Sequence, residues 1–514
     1  MLEWAMQNIR IKIGRSWQSF SLENHEPLRE FYTQPMPRHE VARKGAQLGI
    51  STYSLIKTFF KGIRHGQTTG YYFPTDEDVD DFVQDRANPM IENSETLSSL
   101  QSHDLTDNVG LKRFGKFSVY FRGVFSKRKV KSITLDHVIK DEVDEANQEN
   151  LKFADDRMLH SADPAITELS QPSIDDFGID ASFKLSDSRY WAVRCGCRHW
   201  NFPDKTFPEC LLTRGLNTYY RCVKCDRKLN MNAGQWVPEF PSRSKDIVGR
   251  HLSHLIFNHL SAAEVKRRYE SATTTIQKKN FSISILGFPR TTAAAKPITD
   301  EVLQNAQRPY APNAQTNFSF WGMDVGDKCH LVFLQPAGNV LLVTDFIEMQ
   351  SDDEKAIIQA VEQRGGYCGV IDAMPYKTLA KNIARHFQGR VYINYYKGDT
   401  LKTGEEGQGE FAVPRVTVNR DESLDETTES VREGRIAIPD PRRMGAEKLA
   451  AFETFKAQLK MLIKEGVDKD GISEIHYKKN VPNHYGMALN YARIASEVSS
   501  VNVVTGVDPI FVKL

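Results

Sequence analysis

The chain has 514 residues, 40 % of them hydrophobic and 26 % charged, ordinary proportions for globular material and a length beyond what one hydrophobic core organises. Its net charge is +1, so any nucleic-acid binding must come from local patches and not from a globally basic surface. No apolar run approaches the roughly 20 residues of a membrane span, and the charged N-terminal stretch MLEWAMQNIRIKIGRSW lacks a small-residue cleavage site, so it does not read as a secretory signal and an intracellular protein is expected.

From about Tyr32 to Leu185, short apolar runs (YYFPT, FSVYFRG, SITLDHVI) alternate with helical stretches. This pattern predicts an α/β domain with a mostly parallel sheet. Early in it, ARKGAQLGIST leads from an extended stretch into the helix-like STYSLIKTFFKGI. A glycine-containing turn at a helix N-terminus aims N–H groups and the positive end of the helix dipole at phosphate oxygens. The pattern G-x-x-x-x-G-K-[ST] is half met: Gly49 and Ser51 fit, but Lys44 stands where the first Gly belongs and Ile50 where the Lys belongs. A lysine at the front of the loop could reach the β and γ phosphates from the other side. Ser51, or less readily Thr52, would then offer its hydroxyl to Mg²⁺. An ordinary strand-turn-helix with a solvated Arg43–Lys44 pair has equal weight on this motif alone.

Downstream, an apolar strand in SITLDHVIKDEVDEAN ends in Asp141-Glu142. One carboxylate beside Mg²⁺ and the next beside the attacking water is the arrangement ATP hydrolysis needs; acids opening a helix would look the same. In ITELSQPSIDDFGID, Ser170 follows a strand where a polar group could sense a γ-phosphate, or could simply turn the chain. The basic run SKRKVK could contact phosphates, or be a solvated hairpin tip.

Five of the seven cysteines lie between Cys195 and Cys225, while Cys329 and Cys368 stand alone. Cys195 and Cys197 form one pair and Cys222 and Cys225 the other, with 24 residues between. Cys-x-x-Cys suits tetrahedral Zn²⁺, so a zinc ribbon is expected at about 191–230, with His199 or Cys210 as alternatives within the irregular first pair. Residues 246–274 read as helical, with Ser261 as an N-cap, and 287–312 as a linker rich in Pro, Thr, Ala and Asn. The expected domains are 1–245, 246–315 (helices and linker) and 316–514.

The last domain opens with FSFWGMDVG, HLVFLQP and NVLLVTDFIEM in meander order, then a helix and CGVIDAMP. That order suggests a mixed sheet of the RNase H type. Asp324 and Asp372 sit on its strands, where a carboxylate is costly to bury unless paired or bound to a cation. Converging carboxylates are what two-metal phosphodiester hydrolysis requires; otherwise Asp324 starts a turn and Asp372 caps a helix. His484, opening a C-terminal helix, is the candidate third ligand. Residues 397–425 read as a long surface loop or hairpin.

Taken in order, the loop RKGAQLGIST, YYFPTDEDVDDF, VIKDEVDEA, ELSQPSIDDFGI, SDSRYWAVRCGC, WGMDVG, GVIDAMP and HYGMALNYARIA resemble the terminase large subunits of tailed phages and prophages. The likeness is to the lambda-like subclass with a zinc ribbon, and it spans about Tyr32 to Ser496. It implies an N-terminal P-loop ATPase of the ASCE type with a mostly parallel sheet, an inserted ribbon and a C-terminal RNase H-like nuclease. By resemblance, Lys44, Gly49, Ser51, Thr52 and Asp141 bind ATP and Mg²⁺, Glu142 activates water, and Ser170 couples hydrolysis to DNA movement. Asp324, Asp372 and His484 hold Mg²⁺ or Mn²⁺, and the cysteines Zn²⁺. The implied partners are double-stranded DNA, a small terminase subunit, the portal protein of the procapsid and further copies of the chain in a ring, without a membrane. The implied location is the bacterial host cytoplasm, docked transiently on the procapsid and absent from the mature virion. One departure stands out: many relatives carry Asp-His followed by another acid in the last motif, whereas this chain has Asn483-His484 and then Met487. If His484 serves, cutting should weaken in acid, because only neutral imidazole binds a metal.

Two other readings remain open. An integrase or transposase relative would join strands without ATP turnover. A non-enzymatic zinc-ribbon DNA-binding scaffold is favoured by Ile50 and Met487 and excluded by ATP turnover that Lys44→Ala abolishes. Arg43 is one candidate for the arginine that completes the ATP site.

Overall fold

The computed structural model describes residues 1–101, 109–131, 133–290, 295–313, 316–398, 400–469 and 472–504. Residues 291–294 of the expected linker and residue 399 of the expected loop lie outside the described residues. The chain divides into two compact units, Met1–Thr291 and Thr292–Leu514. No helix among the described residues is long and apolar enough to cross a membrane.

The first unit is built on a ten-stranded sheet. Its centre runs, in parallel, Val248–Leu252, His39–Lys44, Ala165–Ser170, His137–Asp141, Thr69–Phe73 and Phe117–Gly123. Strands such as His137–Asp141 and Thr69–Phe73 are buried at every position, which is why they show no apolar–polar alternation. One strand, Ala165–Ser170, lies between the strand that feeds the loop and the strand that ends in Asp141. That single insertion is the ASCE arrangement expected from the sequence, and it brings Lys44, Asp141 and Ser170 to the same end of three adjacent strands.

The stretch IVGRHLSHL, expected to be helical, is instead the strand Val248–Leu252, paired in parallel with both His39–Lys44 and Arg189–Arg194. It is buried throughout, so it shows neither helical nor strand periodicity. Gly249 is required there because a Cβ would strike the Ser186 side chain. This strand belongs to the first unit's sheet, on the far side of the boundary expected at residue 245. The helix Ala262–Ser271 follows as expected, with the Ser261 side chain accepting from the Glu264 N–H.

The helix Ile50–His65 is tied to the sheet by a buried polar knot. Lys57 donates to Glu40 at 2.8 Å, and Tyr53 and Arg250 complete the Glu40 carboxylate. A buried charge left alone would cost several kcal/mol, on the order of 3–5, so this pairing fixes the helix, and with it the loop, on the sheet.

In the second unit, Ser319–Asp324, Lys328–Ala337 and Val340–Gln350 form the expected antiparallel meander, and Gly366–Asp372 adds in parallel to Ser319–Asp324. Val391–Tyr396 and Val413–Val418 extend the sheet in parallel. Three antiparallel strands followed by parallel ones, with the first strand central, is the RNase H order. The expected surface segment after residue 397 resolves into the hairpin Lys402–Glu406 with Val413–Val418 and the helix Arg420–Arg432. The helix His484–Val504 lies directly on the central strand: a Cβ on Gly322 would collide with the backbone of Ala488 and Ala492. That close approach carries His484 to the end of the strand bearing Asp324.

Candidate nucleotide and metal sites

At the end of the strand His39–Lys44, the loop turns through Gly49, which has φ 81° and caps the helix Ile50–His65. The left-handed backbone calls for glycine. The front of the loop is pinned by protein partners. Gly45 N–H donates to Leu252 O at 2.8 Å, Ala46 N–H to Ser284 O at 2.8 Å, and His254 Nε2 lies 2.9 Å from Ala46 O. Those two amides are therefore occupied, leaving the later amides of the turn and the Lys44 ammonium to meet a phosphate.

Lys44 is 6 % exposed and its Nζ donates to Glu142 Oε1 at 2.9 Å. Glu142 sits just beyond the strand with φ 50°, a left-handed conformation that turns its carboxylate back over the sheet end. Its other oxygen lies 3.3 Å from Ser170 Oγ and 3.4 Å from the Gln171 N. Asp141, by contrast, is buried and accepts from Tyr71 Oη at 2.9 Å and from the Ser51 hydroxyl. Burial first, then the neighbouring Glu142, pushes its carboxyl up to about 6, against the pull of Lys44. The structure thus brings together Lys44, Ser51, Asp141, Glu142 and Ser170. Thr52 follows Ser51 in the first helical turn.

Arg43, the guess for the arginine of the ATP site, is corrected. It is 3 % exposed and committed to Asp180, to His251 and to Tyr190 Oη, with its guanidinium 4.0 Å from the Phe183 ring centroid. The strand alternates sides, so Arg43 faces away from Lys44. The run SKRKVK forms the short helix Lys127–Lys131, in which Lys129 pairs with Asp76 at 2.6 Å.

The sulfurs of Cys195, Cys197, Cys222 and Cys225 all lie within 4.8 Å of one another, with Cys195–Cys225 at 3.6 Å and Cys197–Cys222 at 3.7 Å. A tetrahedron with Zn–S of about 2.3 Å has S···S edges of about 3.8 Å, so the donor set fits zinc. Asn201 joins the two knuckles: its Oδ1 accepts the Val223 N–H at 3.0 Å while its Nδ2 donates to the Val193 and His199 carbonyls. Cys210 and His199 stay outside the group of four. Cys210 is 1 % exposed, and burial pushes its thiol up to about 12.

In the second unit, His484 Nδ1 is 2.8 Å from Asp324 Oδ2. His330 completes a group of three whose ligand atoms lie within 4.8 Å of one another, and its ring stacks on His484 with centroids 4.8 Å apart. Asp372 is outside this tight group, held by Tyr491 Oη at 2.9 Å and the Met374 N–H at 3.1 Å. Burial and then the charge of Asp324 push the Asp372 carboxyl up to about 7. A carboxyl raised in part by the charge of Asp324, with imidazoles alongside, fits a divalent cation. Met487, where relatives have an acid, is buried in the core.

A family described as phage terminase large subunit gpA, ATPase domain, matches residues 29–236. Residues 29–236 are similar to the ATPase domain of terminase large subunits. The match covers the loop, the Asp141-Glu142 pair, Ser170 and all four clustered cysteines. Among solved structures, the chain is similar to the large terminase of bacteriophage HK97, with 10 % identity over 95 % of this chain and 98 % of that one and a TM-score of 0.49. It is also similar to the large terminase of a thermophilic bacteriophage (11 % identity, 92 % and 98 % covered, TM-score 0.33) and to the human cytomegalovirus terminase nuclease domain (13 % identity, 39 % and 94 % covered, TM-score 0.25). None of these likenesses assigns a residue. No curated protein matches the chain.

His330 is the site residue that sequence reasoning missed. It lies in an apolar strand, yet the hairpin register sets it directly opposite Asp324. Counting outward from the tight turn after Asp324 would have found it.

Proposed function

We propose that this chain is the motor and nuclease of a DNA-packaging machine: a terminase-type ATPase that drives double-stranded DNA into a procapsid and cuts concatemeric DNA with a metal-dependent site in its second unit. The contact of Lys44 with Glu142 carries the motor reading, because it puts the cation at the front of the loop against the residue placed to act on water. Lys44 would exchange Glu142 for the terminal phosphates of ATP, releasing the carboxylate to orient the attacking water and take its proton. Ser51 and Asp141, already hydrogen-bonded, would hold Mg²⁺, which supplies charge neutralisation at the phosphates. Ser170, beside Glu142, would report the state of that carboxylate to the strand behind it.

In the second unit, Asp324, His484 and His330 would hold Mg²⁺ or Mn²⁺, with Asp372 joining once its carboxyl loses its proton, and the metal would polarise the scissile phosphate and activate water. Zn²⁺ in the four cysteines would stabilise the ribbon. A small terminase subunit, the portal protein and a ring of further copies are the partners this reading calls for, in the host cytoplasm and on the procapsid.

The test is wild-type protein with duplex DNA, ATP and Mg²⁺ or Mn²⁺. ATP turnover stimulated by DNA, together with cutting and without strand joining, is expected. Turnover that survives Lys44→Ala, or joining of an oligonucleotide end without ATP, would sink the reading.

A further inference from the structure

The segment between residues 194 and 228 holds eight Lys or Arg against three Asp or Glu, an excess of +5 in a chain whose total is +1. Lys205, Arg214 and Arg221 are spent on Glu239 and Asp226. Arg194, Arg198, Lys224, Arg227 and Lys228 are exposed and form no ion pair among the described residues.

Their positions are set by the knuckles. Arg198 turns the first with φ 68°; Lys224 lies inside the second; and Arg227, whose carbonyl accepts the Cys222 N–H at 2.8 Å, brings its Nη1 to 3.6 Å from the place of a Cβ on Gly196. Lys228 follows at the bridge to Arg221. Arg194 lies 5.8 Å over the ring of Trp200, which is 38 % exposed. A zinc tetrathiolate carries a net charge of about −2 and would offset only the nearest of these cations. The rest, with an exposed indole among them, give the surface around the knuckles a net positive charge that suits a polyanion.

We propose that this face grips the phosphate backbone of duplex DNA, the zinc knuckles acting as a stiff mount for the cations. The choice of duplex DNA rests on the packaging reading, and backbone contact without base reading is what a translocase on arbitrary sequence needs.

The experiment is anisotropy titration of the zinc-loaded full chain against a short labelled duplex, without ATP and without added Mg²⁺ or Mn²⁺, across a salt series. The triple variant Arg194→Ala, Lys224→Ala, Lys228→Ala should bind about tenfold more weakly, and its log Kd against log salt slope should be shallower by about 2–3, since each phosphate contact contributes about 0.9. Bound zinc should stay at the wild-type level, and Lys/Arg exchange at the same three positions should restore the slope. If the triple variant loses zinc, the single reversals Lys224→Glu and Lys228→Glu carry the measurement. Unchanged affinity and slope with zinc retained would overturn the proposal and leave an acidic protein surface as the partner. The titration involves neither turnover nor cutting, so inactive protein that still binds through this face would sink the packaging reading and leave this inference standing.

Discussion

Each candidate site holds one acid with a raised carboxyl, Asp141 in the first and Asp372 in the second, but the two differ in what meets the neighbouring acid. In the first unit, the acid we propose to act on water already has a cation: Lys44 reaches Glu142 at 2.9 Å. In the second unit, Asp324 meets imidazoles, and its charge helps push Asp372 up to about 7. A site that balances its own charge is held ready and changes partner when its ligand arrives. One that gathers acids around imidazoles stores repulsion that a divalent cation relieves. The ligands should therefore act differently: the nucleotide displaces an existing contact, whereas the metal supplies a missing charge.

The sharpest way to break this contrast is to remove one anchor from each side. Asp324→Ala should lower metal-dependent cutting by on the order of a thousandfold, because it deletes the carboxylate that both imidazoles approach. ATP turnover in the same protein should stay at the wild-type level. Plasmid cleavage with Mn²⁺ and phosphate release in parallel decide it, and equal loss of both activities would mean the two sites are not separate. Next in size, Lys44→Ala and Glu142→Gln should each lower ATP turnover by about a hundredfold or more with cutting preserved. Lys44→Ala should chiefly weaken nucleotide binding, while Glu142→Gln should bind nucleotide and fail to turn it over. A Glu142→Gln protein with near-normal turnover would remove the water-activating role.

How much of this was legible in the sequence depended on whether the signal was local. The loop, the Asp141-Glu142 pair, the meander and the second cysteine pair all carry their chemistry within a few residues. The strand insertion that makes the ASCE order could be named only through the resemblance, since parallel neighbours are distant in sequence. Val248–Leu252 was misread because a strand buried on both faces keeps no period of two. Arg43 was misjudged because adjacent residues on a strand face opposite sides, so its nearness to Lys44 in sequence meant nothing in space. His330 was missed for a related reason: it meets Asp324 only across a hairpin.

A smaller effect sharpens the metal side. His330→Ala should weaken cutting about tenfold, mostly as a higher metal concentration for half-maximal rate, because ligand-supporting residues typically contribute about 10–100-fold to metal affinity. His330→Gln should recover part of it if the role is to orient His484. A change in maximal rate with unaltered metal dependence would remove His330 from the site.

The smallest expected effect lies outside both sites, at Asp204, which is buried beside the strand Val248–Leu252 and accepts a hydrogen bond from Ser253. Burial pushes its carboxyl up to about 7, with Ser253 and Arg43 pulling the other way. An unfolded carboxyl ionises near about 4, so between about pH 4 and pH 7 the unfolded chain has lost a proton that the folded chain keeps. Stability contributed here is therefore full in acid and declines as pH rises through that window, levelling off above it. Asp204→Asn removes the titration while keeping an oxygen for Ser253. Relative to wild type it should gain about 1–3 kcal/mol between pH 4 and pH 8, read as a rising difference in denaturation midpoint. A difference that stays constant across that range would show that Asp204 is ionised in the folded protein, paired with the His251 ring that lies 3.8 Å away.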